Sequence, residues 1–527
     1  MAKSINAHNL RQHWINKHEI ALLDIREEGP YAQSHPLFAI SVPVSEIEKK
    51  LPALIPRLSV PIVVYDSGEN YTERAAARIL ALGYRDVSVL EGGLAGYARV
   101  GEVYRDVNVP SKAFGELVEA INHTPSLPAQ QVRELLDRQG NGDDVVVLDA
   151  RRFEEYTTMS IPHGRSCPGG ELLYRFFEAV PDPKTTVVVN CAGRTRSIVG
   201  TQSLINSGVP NKVVALRNGT IGWTLESLEL DTNRTERVAQ PSSEAYQKAR
   251  RYAEAWAGRV GVEVIDGEQL GRFVADKNRT LYLLDVRDPE EYAANHPRGF
   301  DNAPGGQLVQ ATDEWVGVRG GRIVLYDTDG VRARMTASWL VQLGWEVYVL
   351  DERSPVPTSL PTKRTLWHSS NSAGAAITID ELQSRAGATV VDLARSTAYV
   401  KGHIPGAWFA SGPELARDLR TVVGDGPIVL TSPDGDVAAM NLDDARNAVS
   451  REVLYLSGGT AAWVAAGYPL ETESRWLSQP IDVYKRPYEG TSNARKDMQG
   501  YLDWEYGLIA QLANDGVAGF HVMRDTV

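Results

Sequence analysis

The chain repeats one pattern four times, and this repeat constrains the fold more than any other feature of its 527 residues. In each copy a short apolar segment ends in Asp, and a Tyr follows seven residues later. A second apolar segment leads into a loop and a helix-like stretch, and a third apolar segment closes the copy. The aspartates are Asp24, Asp149, Asp285 and Asp392, and the tyrosines are Tyr31, Tyr156, Tyr292 and Tyr399. Repeats of this kind indicate an array of similar domains.

The residue after the second apolar segment lies 42, 42, 42 and 40 positions beyond the Asp of the same copy. These four equivalent residues are Asp66, Cys191, Asp327 and Ser432. Short β-branched segments that alternate with helical stretches predict parallel strands joined by right-handed crossovers. The predicted fold class is therefore α/β, with four tandem domains that each hold a small parallel sheet flanked by helices.

The pattern also predicts the domain organisation. The four domains are expected over residues 1–110, 125–235, 260–355 and 374–474. A helix with one apolar stripe is expected over residues 241–259, and an amphipathic helix is expected in a C-terminal helical extension over residues 475–527.

Composition narrows the class of protein. A hydrophobic content of 43% with 23% charged residues is ordinary for a globular protein. Without an apolar run of about eighteen residues or an apolar leader, no membrane span and no secretory signal are expected. Two cysteines cannot form a disulfide framework, so a cytoplasmic protein is predicted. The net charge of −12 argues against a general nucleic-acid binder.

Cys191 is the candidate nucleophile because it follows a buried strand and precedes a helix. Ligands of parallel α/β domains bind at this edge, where loop amides and the helix dipole favour negative charge. Arg194 and Arg196 follow within the same loop and could fork onto an oxyanion. We therefore expect a depressed pKa for the Cys191 thiol.

The second domain resembles the rhodanese family of sulfurtransferases. Asp149-x-Arg151, Glu155-Tyr156, the stretch "IPHGRSCPGGEL" and the loop "CAGRTR" carry the resemblance there. The ending "RNGTIGW" is similar to the family's G-G-x-x-x-W, which is fuller as "SGGTAAW" in the fourth domain. The resemblance covers most of the chain and implies four tandem rhodanese-like domains with one active cysteine.

The resemblance implies a thiosulfate sulfurtransferase. Cys191 would attack the outer sulfur of thiosulfate or a related donor, become a persulfide, and pass the sulfur to cyanide or a thiol. The loop residues Ala192, Gly193 and Thr195 would line the substrate site together with Arg194 and Arg196, and Arg165 would contact the donor or the acceptor. Asp149 would orient Arg151 in a supporting pair. No metal and no organic cofactor are required.

The other three domains are expected to be inactive. A carboxylate at Asp66 or Asp327 cannot carry a persulfide, and acids instead of arginines surround Ser432. An inactive domain before an active one resembles the two-domain rhodaneses, and this resemblance implies that the first and second domains form one pair and the third and fourth another.

Two alternatives stay open at this point. A sulfur-relay or scaffolding protein would use Cys191 to serve a dedicated protein acceptor. A cysteine phosphatase or arsenate reductase needs C-x5-R, whereas the loop here reads C-x4-R up to Arg196. Cys167 lies at an apolar position of the family pattern, so it is interpreted as a packed hydrophobic residue.

Overall fold

A computed structural model describes residues 3–138, 144–357, 360, 366–367 and 374–524. Over these residues the chain forms four five-stranded sheets, all parallel, and one two-stranded antiparallel pair. The central strands are apolar without alternation and are buried, because helices cover both faces of each sheet. The predicted α/β class with four tandem domains is confirmed.

The first domain places its strands in the order β1-β6-β5-β2-β4. Its strands are β1 Lys3–Ile5, β2 Ala21–Asp24, β3 His35–Pro36, β4 Ala39–Ser41, β5 Ile62–Tyr65, β6 Val87–Leu90 and β7 Val103–Tyr104, and β3 pairs with β7. Its helices are α1 Ala7–Ile15, α2 Glu28–Gln33, α3 Ile47–Leu54, α4 Thr72–Ala81 and α5 Gly93–Tyr97.

The second domain has the same topology, in the order β8-β12-β11-β9-β10. Its strands are β8 Ser126–Leu127, β9 Val145–Asp149, β10 Arg165–Ser166, β11 Thr186–Asn190 and β12 Val213–Leu216. Its helices are α6 Val109–Asn122, α7 Ala129–Asp137, α8 Phe153–Thr158, α9 Leu172–Ala179, α10 Thr195–Ser207 and α11 Gly219–Leu225, and α12 Ser243–Val260 follows.

The third domain repeats the order as β13-β17-β16-β14-β15. Its strands are β13 Glu263–Ile265, β14 Leu281–Asp285, β15 Asp301–Asn302, β16 Arg322–Tyr326 and β17 Glu346–Leu350. Its helices are α13 Gly267–Ala275, α14 Pro289–Ala294, α15 Gly305–Gln310 and α16 Arg332–Gln342.

The fourth domain repeats it again as β18-β22-β21-β19-β20. Its strands are β18 Ala376–Ile377, β19 Thr389–Asp392, β20 Trp408–Phe409, β21 Ile428–Thr431 and β22 Val453–Leu456. Its helices are α17 Ile379–Ser384, α18 Ser396–Tyr399, α19 Leu415–Asp418, α20 Asp436–Met440, α21 Leu442–Ala448 and α22 Gly459–Ala465.

The long helix α23, Arg495–Asp515, follows the fourth domain. Short 3-10 helices lie at Val44–Glu46, Gly169–Glu171, Thr312–Glu314 and Leu419–Thr421. The predicted helix over 241–259 is present as α12, which starts at the N-cap Ser242 and ends at Gly261 with φ 81°. No helix of the described residues is long and apolar enough to cross a membrane.

The strand register explains the fixed spacing in the sequence. In each sheet the Asp that ends the first repeat strand lies beside the last residue of the second, as Asp149 lies beside Asn190. The equivalent residues Asp66, Cys191, Asp327 and Ser432 therefore all open the loop at the carboxyl edge of their sheet. The sequence pattern places this loop correctly in all four domains.

The domains do not pair in the predicted order. One compact unit consists of Met1–Leu10, Ile20–Val107 and Lys363–Tyr484, and so joins the first and fourth domains. The other consists of Arg11–Glu19, Asn108–Thr362 and Lys485–Val527, and joins the second and third domains with α23. The expectation that the first domain pairs with the second is wrong.

Specific side-chain contacts hold each unit together. In the first unit, Arg78 of α4 binds Glu48 at 2.6 Å and Asp444 of the fourth domain at 3.2 Å. In the second unit, buried Arg332 of the third domain binds Glu171 of the second at 2.8 Å. These inter-domain partners are far apart in sequence and carry no repeated signature, so the sequence pattern could not predict the pairing.

An Asp–Arg fork follows the first repeat strand in three domains. Arg151 binds Asp149 through Nε and Nη2, and Arg26 and Arg287 bind Asp24 and Asp285 in the same way. In the fourth domain Ala394 stands in place of this arginine, and its backbone N–H donates to Asp392. Burial raises the pKa of Asp392 to about 6, against the opposing influences of the Ala394 N–H and of His403.

This difference predicts opposite effects of one substitution at two equivalent sites. Because the pKa of Asp392 is above its unfolded value, its ionisation lowers the free energy of unfolding as the pH rises through about 4 to 6. Asp392→Asn should therefore raise the free energy of unfolding at pH 8 by about 1–3 kcal/mol and change it little at pH 4.

The matched variant Asp24→Asn should destabilise the same unit at pH 8, because it breaks the fork with Arg26. Urea denaturation of both variants at the two pH values measures the effect. A loss of stability at pH 8 in Asp392→Asn would contradict the prediction.

Candidate active site

The loop between β11 and α10 holds Cys191 at its first position. The Cys191 Sγ–H donates to the Ser197 hydroxyl at 3.3 Å, and that hydroxyl donates to the Arg194 carbonyl at 2.8 Å. The Cys191 carbonyl accepts the Thr220 N–H at 2.9 Å. Gly219, with φ 54°, lies so close that a Cβ there would be 2.3 Å from this carbonyl. The sequence "NGT" after β12 thus fixes the base of the loop.

Arg194 points away from the thiol and into a buried ion pair. Its guanidinium forks onto Glu116 of α6 at 2.7 and 2.8 Å, and it also binds Glu119. The same guanidinium lies 4.2 Å from the centre of the Tyr506 ring on α23. Two carboxylates thus neutralise the charge of Arg194, and its binding of an anionic donor stays a prediction.

Arg196 also has a carboxylate partner. Its Nη1 and Nη2 bind Glu155 of α8 at 2.7 and 2.8 Å. Burial opposes ionisation of Glu155, but the charge and hydrogen bonds of Arg196 hold its pKa well below the ordinary value. Arg196 remains near the reactive loop, since its charge still favours the Cys191 thiolate.

The expected depression of the Cys191 pKa is wrong. Cys191 is 1% exposed, and burial raises the pKa of its thiol above the ordinary value. Arg196 and the hydrogen bonds with the Ser197 hydroxyl and backbone lower this pKa, and a negative charge on Glu505 raises it further. The sequence predicts two free arginines and an open loop, whereas in the structure both arginines are paired and the loop is covered.

The C-terminal helix provides that cover. Tyr501, Met498 and Leu502 of α23 form an apolar cluster with Ala192 of the loop and Ile221 of α11. A Cβ on Gly193 would lie 3.2 Å from the Tyr501 ring and 3.5 Å from Oε2 of Glu505. The extension that the sequence predicted as a packing element therefore lies directly on the reactive loop.

Glu505 and Tyr501 are residues that sequence reasoning missed. Glu505 is fully buried, and it interrupts an otherwise apolar or aromatic stripe of α23 that includes Tyr501, Leu508 and Leu512. An acid on the buried stripe of an amphipathic helix is the sequence signal that could have found it.

The other residues predicted for the active site lie in different parts of the second domain. Ala192, Gly193 and Thr195 belong to the loop or to the first residue of α10, as expected from their positions. Asp149 and Arg151 form the expected supporting fork, and the Asn190 amide donates to the same carboxylate at 2.9 Å. The Arg165 guanidinium donates to the Ala179 carbonyl at the end of α9, so the structure does not bring it to the Cys191 loop.

Cys167 is a core residue, as its interpretation as a packed hydrophobic residue predicts. It is fully buried among Leu172, Phe176 and other apolar side chains, and burial raises its pKa to about 12. A thiol with this pKa contributes almost no thiolate near neutral pH.

A polar cavity of about 280 Å³ adjoins the loop. Its lining includes Arg196, Glu155, Arg152, Gln307, Gln310 and Arg486. The cavity is large enough for a small inorganic anion, and among the loop residues Arg196 borders it. No group of three or more His, Cys, Asp or Glu side chains within the described ranges could hold a metal ion.

The equivalent loops in the other domains are filled by their own side chains. Asp66 accepts the N–H groups of Gly68 and Tyr71 at 3.0 and 2.7 Å. Asp327 accepts those of Gly330 and Ala333, both at 2.8 Å. Each carboxylate accepts amides of its own loop, and neither Asp66 nor Asp327 supplies a thiol that could carry sulfur.

Comparison with known proteins identifies related chains. A family model described as "Rhodanese-like domain" matches residues 7–99, 131–226, 268–352 and 377–466. The crystal structure of a thiosulfate sulfurtransferase from Pseudomonas aeruginosa is 49% identical, with a TM-score of 0.93, over 99% of this chain and 100% of that chain. The Alr3790 protein from Anabaena sp. is 28% identical, with a TM-score of 0.18, over 20% of this chain and 86% of that chain. The comparison with curated proteins found no match.

The pairing of Arg194 predicts a structural effect of its removal. Arg194→Ala leaves Glu116 buried without its partner, so the free energy of unfolding should fall by about 3–5 kcal/mol. The double variant Arg194→Ala/Glu116→Ala should lose less than the single variant, because no unpaired carboxylate remains.

Urea denaturation at pH 7 measures both variants. Arg217→Ala, which removes an exposed arginine of the same domain, serves as the control and should change stability by about 0.5 kcal/mol or less. An Arg194→Ala protein as stable as this control would contradict the assignment.

Proposed function

Because the chain belongs to the rhodanese-like family, with matches over four segments of its length, we propose that it is a thiosulfate sulfurtransferase that carries sulfur on Cys191. The observation that carries the proposal is the loop at the carboxyl edge of the second sheet. Among four structurally equivalent positions, Cys191 alone is a thiol. The 49% identity to a thiosulfate sulfurtransferase supports thiosulfate as the donor.

The reaction proceeds in two half-reactions. The Cys191 thiolate attacks the outer sulfur of thiosulfate, the S–S bond of the donor breaks, and sulfite leaves with the bonding electron pair. The new Cys191 persulfide is then attacked at its outer sulfur by cyanide or a thiol, which takes that sulfur and returns the electron pair to Cys191. Neither half-reaction requires a metal or an organic cofactor.

The cover on Cys191 favours a small acceptor. A side chain that is 1% exposed and lies beneath α23 is reached more easily by cyanide or a small thiol than by the surface of a protein. This supports an enzyme that turns over small molecules above a relay to a dedicated protein acceptor. Cytoplasmic location stays a prediction from the sequence.

The cavity beside Arg196 is the donor site of this proposal. Arg152, Arg196 and Arg486 line this space of about 280 Å³ together with their ion-pair partners Glu155 and Glu489, and the two glutamines of the lining can donate to sulfonate oxygens. The loop length, C-x4-R, is the shorter form, and it disfavours a phosphatase or arsenate reductase.

The single-thiol mechanism is tested by intact mass spectrometry. After exposure to thiosulfate the protein should gain one sulfur atom, Cys191→Ser should gain none and lose turnover, and Cys167→Ser should retain most of its activity because that thiol is inert. Mercaptopyruvate in place of thiosulfate tests the choice of donor. A folded Cys167→Ser protein without activity would contradict the mechanism.

The donor site is tested at Arg196. Arg196→Gln should raise the KM for thiosulfate and lower kcat/KM about tenfold or more, because one charge-assisted contact to the anion is lost. The double variant Arg196→Gln/Glu155→Gln removes the uncompensated carboxylate and should recover stability but not donor saturation. A normal KM in both variants would place the donor elsewhere.

A further inference from the structure

The buried carboxyl of Glu505 is not explained by packing. Glu505 is 0% exposed, and its Oε1 accepts the Tyr501 hydroxyl at 2.7 Å. Its Oε2 is buried and has no hydrogen-bond partner among the described residues. This oxygen points at the reactive loop, 3.5 Å from the position that a Cβ on Gly193 would occupy. A buried polar atom left unpaired is costly unless it has a use.

The groups that face Glu505 come from three elements. Lys112 and Glu116 lie on α6, Arg194 lies at the start of α10, and Tyr501 lies on α23 itself. The Lys112 ammonium lies 5.2 Å from the Tyr501 ring centre and is buried with it. Arg194 and Glu116 neutralise each other.

This environment keeps the Glu505 carboxyl protonated. Burial and the nearby charge of Glu116 together raise the pKa of Glu505 to about 8, against the opposing influences of Lys112, Tyr501 and Arg194. At pH 7 the side chain is therefore mainly a neutral acid. Since Oε1 already accepts a hydrogen bond from Tyr501, the free oxygen Oε2 can carry the O–H.

The reaction creates a negative charge on sulfur, and this O–H can donate a hydrogen bond to it. Both the thiolate of Cys191 and the terminal sulfur of its persulfide are anionic, and they form in a loop whose two arginines are already paired with Glu116 and Glu155. A neutral carboxylic acid in a water-poor site is an effective donor to such an anion, because it adds no charge of its own.

We propose that protonated Glu505 donates its Oε2 hydrogen bond to the anionic sulfur on Cys191 and thereby stabilises the sulfur-loaded state. The proposal rests on the sulfurtransferase function proposed above. Glu505 keeps its proton through both half-reactions, so no bond is made or broken at this side chain. When Glu505 ionises, its carboxylate repels both the persulfide and the anionic donor, and transfer stops.

Three variants separate donation from packing. Glu505→Gln keeps a neutral donor of the same size, Glu505→Leu keeps the volume without a donor, and Asp503→Asn alters an exposed acid on the same helix as the matched control. At pH 7, Leu should lower kcat/KM for thiosulfate about 10- to 100-fold, the effect of losing one hydrogen bond to a charged group. Gln should lower it by only a few-fold, and the control should not change.

The pH profile of kcat is the readout that a merely structural role would not move. The original protein should lose activity above a pH of about 8, whereas Glu505→Gln should keep its activity to a higher pH because its side chain cannot ionise. The same falling limb in Gln, or a Leu variant as active as the control, would overturn the proposal. If the Glu505→Leu protein fails to fold, the pH profile of Glu505→Gln decides whether Glu505 donates a hydrogen bond or only packs.

Alkylation of Cys191 tests the contact without sulfur transfer. In a Cys167→Ser background, the rate of reaction with iodoacetamide reports the thiolate fraction of Cys191. Glu505→Leu should slow the alkylation of Cys191 about tenfold between pH 6 and 8. Above pH 8, Glu505→Gln should react faster than the protein that keeps Glu505. Unchanged rates in both variants would overturn the proposal. Failure of thiosulfate to load the original protein would instead refute the proposed function, and the alkylation rates would still decide the role of Glu505.

Discussion

The environment of Cys191 depends on the buried ion pair between Arg194 and Glu116. This pair ties the start of α10 to α6, and Tyr506 of α23 lies over the same guanidinium. This ion pair neutralises the positive charge of Arg194, which would otherwise stabilise the Cys191 thiolate. Because Arg196 is also paired, the thiol lies in a nearly neutral, dry surrounding, and its pKa rises instead of falling. Groups outside the loop therefore control the protonation of the thiol and the stability of an anion in this site.

The sequence predicts the repeated parts of the molecule and misses the unique ones. The fixed distance from Asp149 to Cys191 reflects two neighbouring parallel strands of constant register, and the same arithmetic places the loop in every domain. Local pairs such as Asp149 with Arg151 follow from a spacing of two residues. Glu116, the partner of Arg194, is 78 residues away on a helix outside the repeat, so no local sequence pattern predicts this pair. The domain pairing failed for the same reason.

The four equivalent loops represent two ways of satisfying backbone amides beside a helix start. In the first and third domains a carboxylate on the loop's first residue accepts those amides, as Asp66 and Asp327 do. A thiol is a weak acceptor, so Cys191 provides no comparable acceptor for the amides of the second domain's loop. The loops of the first and third domains thus contain an acceptor for these amides as part of the chain.

The order of the domains along the chain has a consequence for biosynthesis. The first domain is made first, yet its partner in the same unit is the fourth, so its inter-domain face stays uncovered while about 250 intervening residues are synthesised. The unit inserted between them holds Cys191, whereas α23, the helix that covers this thiol, follows the fourth domain in the chain. The nucleophile of a nascent chain is therefore open to solvent until α23 has been synthesised and has packed on the loop. Enclosure of the reactive sulfur thus depends on a segment that is made after all four domains.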